Sequence, residues 1–345
     1  MPAEDHQAIY NHVQSRYFRA SLRTPRCDHP HQPTTFIASS SVSPFQLLRG
    51  PVTTQSLNTM SPSQESQASQ PLLSSQSRSS TSLLQRGVYA PPAPDSLRCA
   101  CPIVNSLANH GYIPRDGRGI RFSELNTAVQ ELGISSTISL PLTAGIFAEH
   151  LPPNYVAPST LGQKVWALVT DPKRAVLGKF GVREVGEVDG QGYQVLNLDQ
   201  VSRHGAVEHD VSLTRRDFAQ GDNHSPQPDL VAALLHSSSD GMVLTTESFA
   251  GHRMRRMEQQ RRDNRQLSFG EGQHRIACGE VALIQRTFGH AERKWEVPVS
   301  YVKAIFEEER LPVKEGWQRR RWWLLGWVEF VMQIGVMQKA IGSYK

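Results

Sequence analysis

A cysteine followed directly by proline, Cys101-Pro102, is the pair in this chain with the most chemical potential. Proline suits the first turn of a helix, where the N–H it lacks would have no partner anyway. Ile103, Leu107 and Ala108 supply an apolar stripe before Gly111, so the spacing predicts a helix beginning just after the cysteine. A thiol at that point meets the positive end of the helix dipole and several free N–H donors, and both favour the thiolate. Such a sulphur can be a nucleophile, a redox thiol or a metal ligand. Cys99 has no proline after it, and Cys278 lies in an apolar stretch and reads as a core residue.

Acids and histidines crowd a second segment, LNLDQVSRHGAVEHDVSLTRRDFAQGDNHS. Glu208, His209 and Asp210 are consecutive, and Ser212 follows two residues later. Carboxylate, carbonyl and hydroxyl oxygens are hard donors suited to Mg²⁺ or Mn²⁺. The spacing of His204, His209 and His224 matches no common zinc pattern. Glu280 in GQHRIACGEVALI is followed by a short apolar run, so it could point from a helix into a low-dielectric site. Burial raises a carboxyl pKa while a protonated histidine opposes the rise, and a carboxylate–imidazole pair can move a proton near neutral pH. A metal-dependent hydrolase built on the acid and histidine cluster is one chemistry these residues allow.

Helices carry most of the elements that must position these groups. Ser123 precedes Leu125, Val129 and Leu132 at helical spacing, with Gly133 as a stop. Pro228 and Asp229 open DLVAALLH, and EVALIQRTFG and SYVKAIFEEER read as further helices. KFGVREVGEVDGQGYQVLNL alternates weakly and reads as a small hairpin or a loop. The arginines of HRMRRMEQQRRDNR surround most of a helix, which predicts a solvated helix and not a nucleic-acid stripe. With 37 basic against 32 acidic residues the net charge is +5, too mild to indicate nucleic acid. Four cysteines are too few for a disulfide-built scaffold.

Composition divides the chain into three parts. Residues 1–86 are rich in Ser, Gln and Pro and are expected to be a disordered tail. Residues 87–317 carry the folded, mainly α domain. Residues 318–345 begin with Arg319-Arg320-Arg321 and three tryptophans and are expected to form an amphipathic helix. Glu329, Gln333 and Gly326 mark its polar face, so 322–340 is expected either to lie on a membrane surface or to dock on the domain, and not to span a bilayer. The N-terminus has no basic segment followed by an apolar run, which gives the expectation of an intracellular protein.

One long run of residues is more specific. Cys101-Pro102, Asn105, Ala108-Asn109-His110-Gly111-Tyr112, Pro114-Arg115 and Gly117 together resemble the proximal motif of the haem-thiolate peroxidases, the chloroperoxidase and unspecific-peroxygenase family. Glu208-His209-Asp210-x-Ser212 resembles a second motif of that family, and the likeness runs in order over residues 88–317. Members usually have proline before the cysteine, where this chain has Ala100. The resemblance implies a single helical domain holding haem b, with Cys101 as the axial iron ligand. It also implies a Mg²⁺ or Mn²⁺ ion held by Glu208, the His209 carbonyl and Ser212 beside a haem propionate. Glu280 would be the acid–base group, paired with His209, whose ring Asp210 would orient. The long peroxygenases place an arginine seven residues before that glutamate. Gln273 stands there in this chain and Arg275 is out of register, which favours the histidine version. The implied activity is oxidation or oxygenation of a small organic substrate by hydrogen peroxide, with an aromatic polyketide of a fungal pathway as the analogy. A haem-binding pathway scaffold without turnover is the alternative.

Overall fold

A computed structural model describes residues 85–152 and 155–342 of the chain. The tail expected over 1–86 therefore lies almost wholly outside the described residues.

The helix expected after Cys101 is α1, Pro102–Asn109. Cys101 is its N-cap, with Pro102 in the first turn. Gly117 closes the loop that follows at φ +73, and a Cβ there would overlap the Leu97 carbonyl oxygen. Only glycine accepts both constraints. β1 (Ile120–Arg121) leads into α2 (Phe122–Gln130), which packs on α3 (Ser136–Phe147). Arg121, not Ser123, caps α2, and Glu124 returns its side chain to the Arg121 N–H. A helical pair that sequence reading missed follows, α4 (Leu161–Thr170) and α5 (Pro172–Leu177), neither with a buried residue.

The glycine-rich stretch makes a tight turn in which the Asp189 carboxylate accepts from the Gln191 and Tyr193 N–H groups. It leads to β2 (Val195–Leu196), which pairs antiparallel with β1 and so ties the segment to the start of the domain. α6 (Pro228–Leu235) begins at the expected proline. β3 (Val243–Leu244) precedes α7 (Thr246–Asp263), α8 (Glu271–Phe288) follows, and β4 (Val297–Pro298) pairs with β3 and opens α9 (Val299–Phe306). Ten α-helices among the described residues, the last being α10 (Trp327–Ile341), make the chain mainly α as expected.

α7 corrects the expectation of a solvated arginine helix. Its arginines do not all face water, because His252, Arg253 and Arg256 are buried with Phe249 and Met257. Arg256 finds acceptors on the Ser212 and Arg215 carbonyls, so its burial is compensated by bonds that no local pattern encodes.

The C-terminal helix begins later than expected and is turned over. Residues 319–326 form an irregular strap, with Leu325 bridged to Ile134, and α10 then packs on α8 and α7. The face read as polar is the one that docks. Gln333, 2% exposed, donates to Gln285 and accepts from Arg286, while Glu329 pairs with Arg286 and Arg320. Phe330 and Met337 flank Gln333, and each buried side chain of this kind contributes roughly 1.5–3 kcal/mol. Val328, Val331, Met332 and Val336 face outward instead. Among the described residues no helix is long and apolar enough to cross a membrane.

Candidate active site

Cys101 and Glu280, 179 positions apart in a chain of 345, line one cavity of about 140 Å³. Ala100, Pro102, Ile103, Leu283, Ile284 and Phe306 give it apolar walls, and Glu208, His209 and Ser212 enter from the acid and histidine segment. A second cavity of about 460 Å³ also has Glu208 and His209 in its lining, together with Lys179, Phe180, Gln273 and Ile276. The two spaces meet at those two residues, and together they reach the size of small-molecule and cofactor sites, roughly 300–1,000 Å³.

The loop carrying the two cysteines is held from a distance. The Asn105 amide donates to the Cys99 carbonyl and to Glu309, while its oxygen accepts from the Cys99 N–H. Glu309, itself in the left-handed region at φ +47, also accepts from Arg215 at 2.8 Å. The Asn109 amide reaches the Glu309 carbonyl, and His110 accepts from the Leu311 N–H. Asn105, Asn109 and His110 of the matched run are thus clamps between α1 and the turn after α9. Cys99 is fully buried, and burial pushes its thiol well above the ordinary value. Cys101 is half-buried on the cavity wall. Burial pushes its thiol up as well, against the pull of the Val104 and Ile103 N–H groups at the helix start. The expected depression by the helix terminus alone is therefore outweighed by desolvation, and a cation at the sulphur is what would favour the thiolate there.

Val211 shapes the opposite segment. This β-branched residue sits at φ +62, a conformation that costs on the order of 1–3 kcal/mol. Burial of its side chain and a 2.8 Å bond from its N–H to Asp217 hold it there. The reversal lets His209 before it and Ser212 after it line the same cavity. The His209 ring is fixed at Nδ1 by the Asp210 carbonyl at 2.7 Å. The Asp210 carboxylate turns away to accept from the Ser268 and Phe218 N–H groups. The contact between Asp210 and the imidazole, whose ring it was expected to orient, is thus made by its backbone carbonyl and not by its carboxylate.

His209 Nε2 has no hydrogen-bond partner and stands 3.6 Å from a Glu280 carboxylate oxygen. Glu280 has 46% of its side chain accessible, and it lines the cavity with Cys101. Burial raises its pKa, but His209 and then Arg253 outweigh burial and bring the carboxyl below its ordinary value. Burial lowers His209, and the Glu280 charge and hydrogen bond with the Asp210 carbonyl outweigh that and raise it. Each thus favours the charged form of the other. Glu208 is raised by burial despite its 2.9 Å bond from His204, a partner the sequence reading weighed only as a zinc ligand. No cluster of three or more His, Cys, Asp or Glu fit to hold a metal occurs among the described residues. Glu208, His209 and Ser212 nevertheless share one wall, and two of their three donors in question are not of those side-chain types.

A family model described as "Peroxidase, family 2" matches residues 87–322. The chain belongs to the haem-thiolate peroxidases. It is 31% identical over 229 residues to an aromatic peroxygenase of Coprinellus radians, covering 65% of this chain and 80% of that protein. It is 33% identical over 136 residues to a chloroperoxidase of Leptoxyphium fumago, covering 39% and 27%. An aromatic peroxygenase of Cyclocybe aegerita is 26% identical over 227 residues, covering 65% of this chain and 56% of that protein. Family membership makes this peroxidase an oxidoreductase acting on peroxide.

Proposed function

We propose that this peroxidase holds haem b in the cavity between Cys101 and the Glu280–His209 pair and uses hydrogen peroxide to oxidise or oxygenate a small organic substrate. The observation that carries the reading is the shared cavity: a thiol at a helix start and an acid–base pair with an unpartnered imidazole nitrogen line one apolar-walled space. That donor set fits haem. When bound, haem supplies the redox chemistry and the Cys101 sulphur donates electron density that favours O–O cleavage. Glu280 accepts a proton from peroxide and returns one to the leaving oxygen, with His209 as its partner. The apolar walls formed by Leu283, Ile284 and Phe306 limit water. Glu208, the His209 carbonyl and Ser212 are assigned as ligands of a Mg²⁺ or Mn²⁺ ion. Haem would take up the space the two cavities share, and the outer part of the larger one is assigned to the substrate, where Phe180 with Lys179 over its ring gives an aromatic and cationic wall suited to a phenolic aromatic such as a polyketide. The test is the absorption spectrum of the purified protein, reduced under carbon monoxide, followed by turnover with peroxide. A red-shifted Soret band with turnover is expected, and chelation is expected to lower haem occupancy. A haem spectrum without turnover would favour the scaffold reading, a colourless protein would sink the cofactor assignment, and full occupancy after chelation would remove the cation.

Interfacial attachment is proposed for the outer face of α10. Trp322 is 96% exposed, Trp323 and Trp327 are exposed with Val328, Val331 and Met332, and the exposed Arg321 adjoins the first two tryptophans in the strap. Tryptophan beside arginine favours the boundary of an anionic bilayer. Truncation at Gln318 is a poor test, because it would strip the cover from α8. Replacing Val328 and Met332 by Glu leaves the docked face intact. Sedimentation with phosphatidylserine-containing vesicles is expected for the parent and not for this variant. A parent that stays in the supernatant rules attachment out.

A further inference from the structure

Two buried arginines lie one turn apart on α7 and differ in a way that marks one of them. Arg256 donates to the Ser212 and Arg215 carbonyls and to Gln259, and it lies 3.9 Å from Asp217. Its role in tying α7 to the acid and histidine segment is complete. Arg253 is 0% exposed, and none of its Nε, Nη1 and Nη2 atoms has a hydrogen-bond partner. A guanidinium is always protonated, so this is a cation taken out of water with nothing bonded to it. Its guanidinium carbon lies 5.7 Å from the centre of the Phe269 ring, and the other side of that contact is functional: Phe269 stands edge-on to His209, ring centres 5.6 Å apart. The groups that act on Arg253 electrostatically are Glu280, Cys278 and Arg256, and Arg253 in turn acts on His209 and His274. Glu280 is the carboxylate among them.

We propose that Arg253 is a positioning residue for the Glu280–His209 pair: a fixed cation behind Phe269, the ring that stands edge-on to His209. The arginine that sequence reading sought on the glutamate's own helix, where Gln273 stands, is supplied instead from α7. Because Arg253 lines neither cavity, it does not touch peroxide or substrate. It acts through the pair, holding the carboxylate and imidazole in the arrangement that receives a proton and gives it up. This rests on the assignment of Glu280 as the proton-handling group.

The test uses Arg253→Met, which fills the same space without charge, alongside Arg253→Lys, with thermal unfolding and peroxide kinetics measured on the full chain. An unpaired buried charge replaced by an apolar side chain of similar volume leaves a protein as stable or more so. Arg253→Met is therefore expected to keep or raise the thermal midpoint while its kcat with peroxide falls roughly 10- to 100-fold, the loss typical of an outer-shell partner. Arg253→Lys is expected to recover part of that rate. Arg256→Met, which breaks satisfied bonds, is expected to lower the midpoint. A fall in midpoint with unchanged kcat for Arg253→Met would make Arg253 structural and overturn the proposal, as would a loss of rate that lysine does not relieve. If Glu280→Gln also leaves the rate unchanged, the assignment of the pair has failed. If Glu280→Gln loses rate and Arg253→Met does not, only the role of Arg253 has failed.

Discussion

Cys101→Ala is expected to abolish the red-shifted Soret band of the reduced carbon-monoxide complex and to reduce peroxide turnover to background, while Cys99→Ala keeps both. The two thiols are two residues apart, yet the fold separates them. Cys101 opens on the cavity that also holds Glu280, whereas Cys99 is enclosed, with its sulphur 3.3 Å from the Asn105 amide oxygen and 3.6 Å from the Cys101 carbonyl. A buried thiol whose single S–H is within reach of two loop oxygens serves the loop. Cys99→Ala removes those contacts and is expected to cost stability but not the ligand. Spectra of the two variants decide the matter: loss of the band in Cys99→Ala would show that the wrong cysteine had been assigned.

The second large effect is expected at Glu280. Glu280→Gln should bind haem with an unchanged spectrum and lose about 10²–10⁴-fold in its reaction with peroxide, the usual contribution of a general acid–base group. Equal rates for variant and parent would dismiss Glu280. The pH dependence carries independent information. Burial opposes both shifts, yet His209 and then Arg253 hold the Glu280 carboxyl below its ordinary value, and Glu280 holds the His209 ring above its own. In His209→Ala burial acts on Glu280 with less opposition, its pKa rises, and the acid limb of the profile moves to higher pH. In Glu280→Gln the main influence raising His209 is gone, and the imidazole titrates lower. For folding the sign follows from His209 being raised. Its contribution to stability is complete below its unfolded value and is lost as pH rises through its folded value. An acid limb in His209→Ala that coincides with the parent's would refute the pairing.

The helix start at Cys101 was legible in the sequence because its signals are local. A cysteine, a proline and a short apolar stripe specify a helix start whatever the rest of the chain does, and α1 begins at Pro102. Glu208, His209 and Ser212 were legible as a group for the same reason. Their geometry was not, since it depends on Val211 adopting a backbone conformation that β-branched residues avoid. Arg253 was hidden by its surroundings, because a helix with arginines on most sides gives no hint of which one is enclosed. The same blindness inverted α10. Glu329 and Gln333 look like a solvent face until Arg286, Arg320 and Gln285 are brought to meet them. Charge satisfied across 40 or more positions leaves no trace in local periodicity.

The clamp on the cysteine loop bears on how such a protein is made. Asn105 meets Glu309 across 204 positions of sequence. During vectorial synthesis the loop with Cys99 and Cys101 therefore leaves the ribosome long before the turn that fixes it, and pairings this distant form late in folding. Through that interval the nascent chain carries two thiols in a Cys-x-Cys spacing with neither burial nor ligand to protect them. If the proposed haem is held at Cys101, its capture is expected to be completed only once residues near 309 have emerged, and truncated translation products ending before that turn are expected to accumulate without colour and with oxidisable sulphur.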